Sequence, residues 1–284
     1  MSVAVLESRF PRVSRRLKRS SRSLDTVGEH ALFYARAIGH APRALIHYRR
    51  ETIRLIAEIS MGTGALAVIG GTVVVVGFLT LFAGGTIAVQ GYSSLGNIGV
   101  EALTGFFAAF INVRIAAPVI AGIGLAATIG AGSTAQLGAM RVSEEIDALE
   151  VMAIPSMPYL VSTRVMAGMI AIVPLYSLAV IASFLASRFA TVVIYGQSSG
   201  VYDHYFSTFL IPTDILWSFA QAIVMALAVM LIHTYYGFNA SGGPVGVGVA
   251  VGNAVRASLI AVVTVTLLIS LAIYGASGNF NLSG

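Results

Sequence analysis

Cysteine is absent from the chain, which excludes disulfides and thiolate metal sites and leaves the redox compartment open. Charge is scarce too: 10% of the 284 residues are Asp, Glu, Lys or Arg, where a soluble domain carries about 25%. Apolar residues make up 57% of the sequence, with a mean hydropathy of +0.86. This is the composition of an integral membrane protein. Its apolar runs are long and unbroken, whereas barrel strands would alternate over about ten residues, so the expected spans are helices. The five histidines are scattered, with no metal-ligand spacing among them, and no nucleophile, base and acid stand together. A metalloenzyme is disfavoured.

What charge there is lies at one end. Residues 1–58 hold twelve of the seventeen Lys and Arg, against the five acids Glu7, Asp25, Glu29, Glu51 and Glu58. The positive-inside rule places this N-terminus in the cytoplasm. Residues 1–22 read as a basic arm near anionic headgroups; no apolar core follows the run RFPRVSRRLKRSSR, so it is not read as a signal peptide, and nucleic-acid binding is disfavoured. In residues 23–60, Leu24, Val27, Ala31, Tyr34, Ile38 and Ala41 recur at helical steps, and Arg49, Arg50 and Arg54 stand among Ile53, Ile56 and Ile59. The pattern predicts a cytoplasmic interfacial amphipathic helix broken near Pro42, with a soluble cap on the bundle as the alternative.

Residues 61–284 read as one membrane domain with five spans, at about 61–90, 98–135, 159–195, 213–236 and 253–275. The first span, long for a single crossing, is expected to tilt or to break near Gly84-Gly85, and the long second span to kink at Pro118 or extend into the cytoplasm. Residues 195–212 are expected as an outer polar loop that leaves Asp203 and His204 solvated, and 237–252 as an inner glycine-rich turn. The C-terminus then falls outside. Arg141 and Arg256 sit at inner ends, with Arg188 the exception. Gly130 to Ala135 (GAGSTA) lacks the strand a dinucleotide loop needs, so this run, with Gly62, Gly70, Gly122 and Gly124, is assigned to close helix contacts.

Four of the seven carboxylates beyond residue 58, Glu144, Glu145, Asp147 and Glu150, crowd into seven positions between the second and third spans. As a helix, this stretch aligns Val142, Ile146, Leu149 and Ala153 in an apolar stripe and points Glu144 and Asp147 away. Ser143 is expected to cap it, and Pro155 and Pro158 to stop it. Two readings stay open: the acids only cap a short surface helix, or the helix docks on a soluble partner. Arg114 is the most expensive residue placed in the spans, at roughly 2.5 to 3.5 kcal/mol near a bilayer centre. It should face a cavity, a carboxylate or a lipid headgroup, with Asn112 beside it; Glu101, thirteen positions earlier, cannot reach it unaided.

The order of a basic interfacial helix, glycine-rich spans, the stretch AxxGxMRVSEEIDALEVM and the late GGPVGVG resembles the MlaE/YrbE permeases of Mce-type lipid ABC transporters. Within them, VGEHALFYARAI, LIPTDILWSFAQAIVM and ASGNFNLSG resemble the B-type YrbE subunits of the actinobacterial Mce system that imports sterols. The resemblance implies an all-α fold of an interfacial helix plus five membrane helices, in the inner membrane. It implies a coupling helix carrying Glu144, Glu145, Asp147, Leu149 and Glu150 against an ATPase. It further implies a paralogous A-type permease in a heterodimer, a cytoplasmic ABC ATPase dimer, a shaft of Mce proteins and a lipid or sterol such as cholesterol. The chain itself would be non-catalytic and without cofactor, with ATP and Mg on the ATPase. Asn112 and Arg114 are the candidates for a substrate cavity or headgroup contact. Many members carry Arg-Glu before the second-span proline, whereas Ile115 follows Arg114 here, so the expected carboxylate is missing at that place. Readings from other classes are an ion-driven secondary transporter, which would need intramembrane carboxylates, and a noncatalytic scaffold for the shaft.

Overall fold

The computed structural model describes residues 27–61 and 71–274. Every regular element among the described residues is helical. Three helices lead the chain: α1 (27–39), α2 (Ala41–His47) and α3 (Arg49–Met61). The spans follow as α4 (Thr72–Gly96), α5 (Glu101–Val142), α7 (Met157–Ile194), α9 (Pro212–Phe238) and α10 (Gly243–Tyr274). All five are long and apolar enough to cross a membrane. Two short helices join them, α6 (Glu145–Val151) between α5 and α7, and α8 (Ser199–Phe209) between α7 and α9.

Spans α5, α7 and α9 form the centre and are the most buried; α4 packs on α7 and is less buried, and α10, the least buried, leans on α9 and α5. The chain alternates direction, so α1 to α3, α6 and the α9–α10 turn share one end of the bundle, and α8 occupies the other. Helix α1 is not a free interfacial ribbon. Phe33 and Ala37 are buried in the main core, Phe33 meets Tyr235 and Phe238, and the Ser162 hydroxyl donates to the Ala37 carbonyl. Its other face leaves Val27 and Leu32 exposed. Burial, with Tyr236 and Tyr235 adding to it, pushes the Tyr34 hydroxyl up to about 12.

Three expectations need correction. Helix α4 runs unbroken through Gly84-Gly85, because Gly84 serves a close crossing instead: a Cβ there would collide with the Ser183 backbone. The 195–212 segment is not a plain loop, since α8 packs on the start of α5 and Tyr202 is buried. The glycine-rich 237–252 turn shrinks to 239–242, and α10 starts at Gly243, where Gly242 and Gly243 take φ of 89° and 69°. Helix α5, at 42 residues, runs on to Val142, past the end expected near 135, and contains π-helical turns at Asn112–Ala116 and Ala126–Gly130. Gly122 and Gly130 do mark close contacts, with Met225 and Val262 and with His233 respectively. Gly62 and Gly70, the basic arm at 1–22 and the tail GASGNFNLSG lie outside the described residues.

Candidate functional site

Helix α6 is a separate seven-residue piece between two left-handed residues, Glu144 (φ 62°) and Ala153 (φ 60°). A non-glycine residue there is strained, so both breaks are held by their surroundings. Ser143 does not cap α6: its hydroxyl turns back to the Ala139 carbonyl and closes α5, while also meeting Glu145 Oε1 at 2.9 Å. The helix ends at Val151, ahead of Pro155, through amide bonds from Ala153 to Glu150 O and from Ile154 to Leu149 O. Pro158 stops nothing; it lies in the first turn of α7.

The expected stripe narrows to two side chains. Ile146 is fully buried and Leu149 half-buried, in a small cluster with Leu137, Met140, Tyr159, Leu160 and Phe238. Val142 and Ala153 are exposed, because the break at Glu144 and the left-handed turn at Ala153 take them off the helix face. Glu144, Glu145, Asp147 and Glu150 are all exposed, joined by Val151 at 88% and Met152 at 61%. Asp147 pairs with Arg141 at 2.7 Å across the α5–α6 corner, and Glu150 accepts from Ser156. The result is a surface of acids and two bare apolar side chains, seated on the bundle by one deep anchor.

The second specific stretch of the sequence comes to the same place. A Cβ on Gly237 would stand 2.9 Å from Leu137 Cβ and from the Thr134 carbonyl, and one on Gly138 would stand 2.9 Å from Val247. Thus the acidic segment and the α9–α10 turn, about a hundred residues apart, form one corner. Nearby, Arg164 is buried on α7, a residue the sequence reading passed over. Its guanidinium donates to the Leu160 carbonyl and reaches Gln136, which donates to Glu58 on α3. The charge inside the run YLVSTRVMAG was the available signal.

Arg114 and Asn112 are not brought together as a headgroup site. Asn112 is fully buried and donates to the Ser187 hydroxyl, which donates to the Gly84 carbonyl, tying α5, α7 and α4. Arg114 meets Asp214 on α9 at 2.6 Å and lies 4.1 Å over the Phe110 ring, with the pair's side chains 12% and 17% exposed. Asp214, in the first turn of α9, supplies the carboxylate that Ile115 does not. Arg114 is therefore level with the end of a span rather than its middle. Asp203 is not merely solvated: it holds Arg188 at 2.9 Å, and that hydrogen bond keeps its carboxyl below the usual range.

Toward the α8 end, α4 and α7 enclose a lateral groove of about 1000 Å³. Phe78, Phe82, Val89, Leu185, Phe189 and Val193 make its walls apolar. Its polar groups are Thr86, Gln90 and Arg188, the last already neutralised by Asp203. Periodicity gave no hint of it, because lipid-facing and groove-facing residues in a span have the same composition.

Residues 61–272 match the family model described as Permease MlaE. The chain belongs to the MlaE permease family. A Rickettsia bellii protein named as an ABC transporter permease is 27% identical over 257 residues, covering 90% of this chain and 93% of its own length. A Synechocystis protein of the same name type is 23% identical over 231 residues, 81% and 84% of the two chains. The Arabidopsis thaliana chloroplast protein trigalactosyldiacylglycerol 1 is 27% identical over 182 residues, 64% of this chain and 52% of its own. An MlaE permease of this kind is the non-catalytic membrane subunit of an ABC transporter, and ATP hydrolysis belongs to a partner ATPase. The five apolar helices and the family together make the chain an integral membrane protein.

Proposed function

We propose that this MlaE permease is one half of the membrane core of an ATP-driven lipid transporter, and that α6 is where its ATPase takes hold. The observation that carries the reading is the acidic, partly apolar outer face of α6, seated on the bundle through Ile146 and Leu149. ATP binding closes two ATPase subunits, α6 is displaced, and α5 and α7 on either side of it reshape the α4–α7 groove. The groove's size and apolar walls suit a lipid, and one relative is named for a galactolipid. The finer assignment rests on the YrbE-like stretches: an inner-membrane chain with a cytoplasmic N-terminus and an outer C-terminus. In that assignment it pairs with an A-type paralogue and an Mce shaft, and imports a sterol such as cholesterol.

Charge reversal tests the docking. Glu145→Lys with Asp147→Lys should leave the permease inserted while the ATPase no longer co-purifies and uptake of a fluorescent sterol falls to background. Co-purification and uptake both unchanged would sink the assignment of α6.

A further inference from the structure

The end of the bundle that carries α6 holds two apolar clusters, a large one built on α5, α7 and α9, and the small one that seats α6. Among the described residues, Phe238 is the side chain packed against both. It is the last residue of α9. On one side it packs against the cluster that Leu137, Ile146 and Leu160 form; on the other its ring lies 5.8 Å from that of Phe33 in the main core. The backbone beside it is fixed, because Gly237 lies against Thr134 and Leu137 too closely to admit a Cβ.

The covalent connections of α6 are poor levers by comparison. Both ends turn through a left-handed residue, Glu144 and Ala153, so that α6 is continuous with neither α5 nor α7. The clasp between Arg141 and Asp147 is exposed at both partners, 39% and 58%, and such pairs are worth little. A displacement of α6 therefore reaches the spans through packed side chains. Close-packed interiors transmit such strain where a hinge does not.

We propose that Phe238 is a positioning residue that carries a displacement of α6 from the small cluster into the main core, beside the contacts α6 makes with the ends of α5 and α7, so that a permease lacking its ring binds the ATPase but responds to it far less. The proposal rests on α6 being the ATPase's docking element and adds the route inward from it.

The chain has no native cysteine, so single-cysteine reporters read docking and response separately in the complete transporter. Val151→Cys reports docking as protection from maleimide when the ATPase is bound, and Phe82→Cys reports the groove as a change in labelling rate when ATP is added. In Phe238→Ala, Val151→Cys should stay protected and ATP hydrolysis persist. The ATP-dependent change at Phe82→Cys should shrink about tenfold, within the usual range of coupling between sites. Phe238→Tyr and Phe238→Leu, which refill the space between the clusters, should restore it. An undiminished response in Phe238→Ala overturns the proposal, and so does loss of docking together with response, since Phe238 would then merely support α6. No protection of Val151→Cys with Phe238 intact overturns the docking reading and this proposal with it.

Discussion

An arginine buried among apolar helices must find an acceptor or draw water in after it, and Arg114 finds Asp214 at 2.6 Å with the Phe110 ring beneath. The pair spends the arginine's charge on joining α5 to α9, from within the π-helical segment Asn112–Ala116. That segment leaves the Val113 carbonyl to be met by the Ser218 hydroxyl, which in turn accepts from Tyr176. Removing one partner strands a charge in a mostly buried place, which costs about 3 kcal/mol, whereas replacing both by apolar groups is often close to neutral. Asp214→Ala should therefore lower the thermal unfolding midpoint of the purified permease clearly, and Arg114→Leu with Asp214→Leu should recover most of the loss. Equal losses in the single and double variants would show that the pair is not what holds α5 to α9 there.

Among elements, the sequence was most legible where composition and length carry the signal. Five apolar runs became five spans, and four carboxylates in seven positions became an exposed helix. Helix α8 was not legible, because glycine, serine and aspartate in YGQSSGVYDHYFSTF look like a loop until Tyr202 and Phe206 find Gly105 at a close crossing. The partners of Asn112 and Arg114 were hidden for the same reason, lying about seventy to a hundred residues away. The attachment of α8 has a pH signature. Arg188 holds the Asp203 carboxyl below the unfolded carboxylate value of about 3.9. The stabilisation is thus complete above that value and is lost as pH falls through the lower folded one. Both side chains are half exposed, so the effect should be modest and confined to α8. Amide exchange protection in α8 should stay level from about pH 8 to 5 and drop below about pH 4. Asp203→Asn should show reduced protection without that drop. A drop near neutral pH would point to another group.

At the scale of the whole molecule, the two ends of the bundle differ in how their cations are used. At the α8 end, Arg188 and Arg114 are each neutralised by an aspartate. Around α6, Arg36, Arg43, Arg49 and Arg50 stand exposed on α1 to α3, in a collar that also shows Ile46 and Ile53 to the outside. Arg256 adds to this end: it begins the 18-residue apolar stretch 257–274, and its guanidinium folds back toward Gly252 and Asn253, as a side chain at a membrane boundary does. Arginines flanking the spans mark the cytoplasmic side whatever acids stand beside them, and among the described residues more of them stand at the α6 end. The α6 end should therefore face the cytoplasm, where an ATPase has ATP. In cells lacking the ATPase, an impermeant maleimide should label Val151→Cys in inside-out vesicles only and Ser207→Cys, on the exposed face of α8, in right-side-out vesicles only. The reverse pattern would put α6 outside, beyond the reach of ATP, and end the coupling assignment whatever its surface looks like.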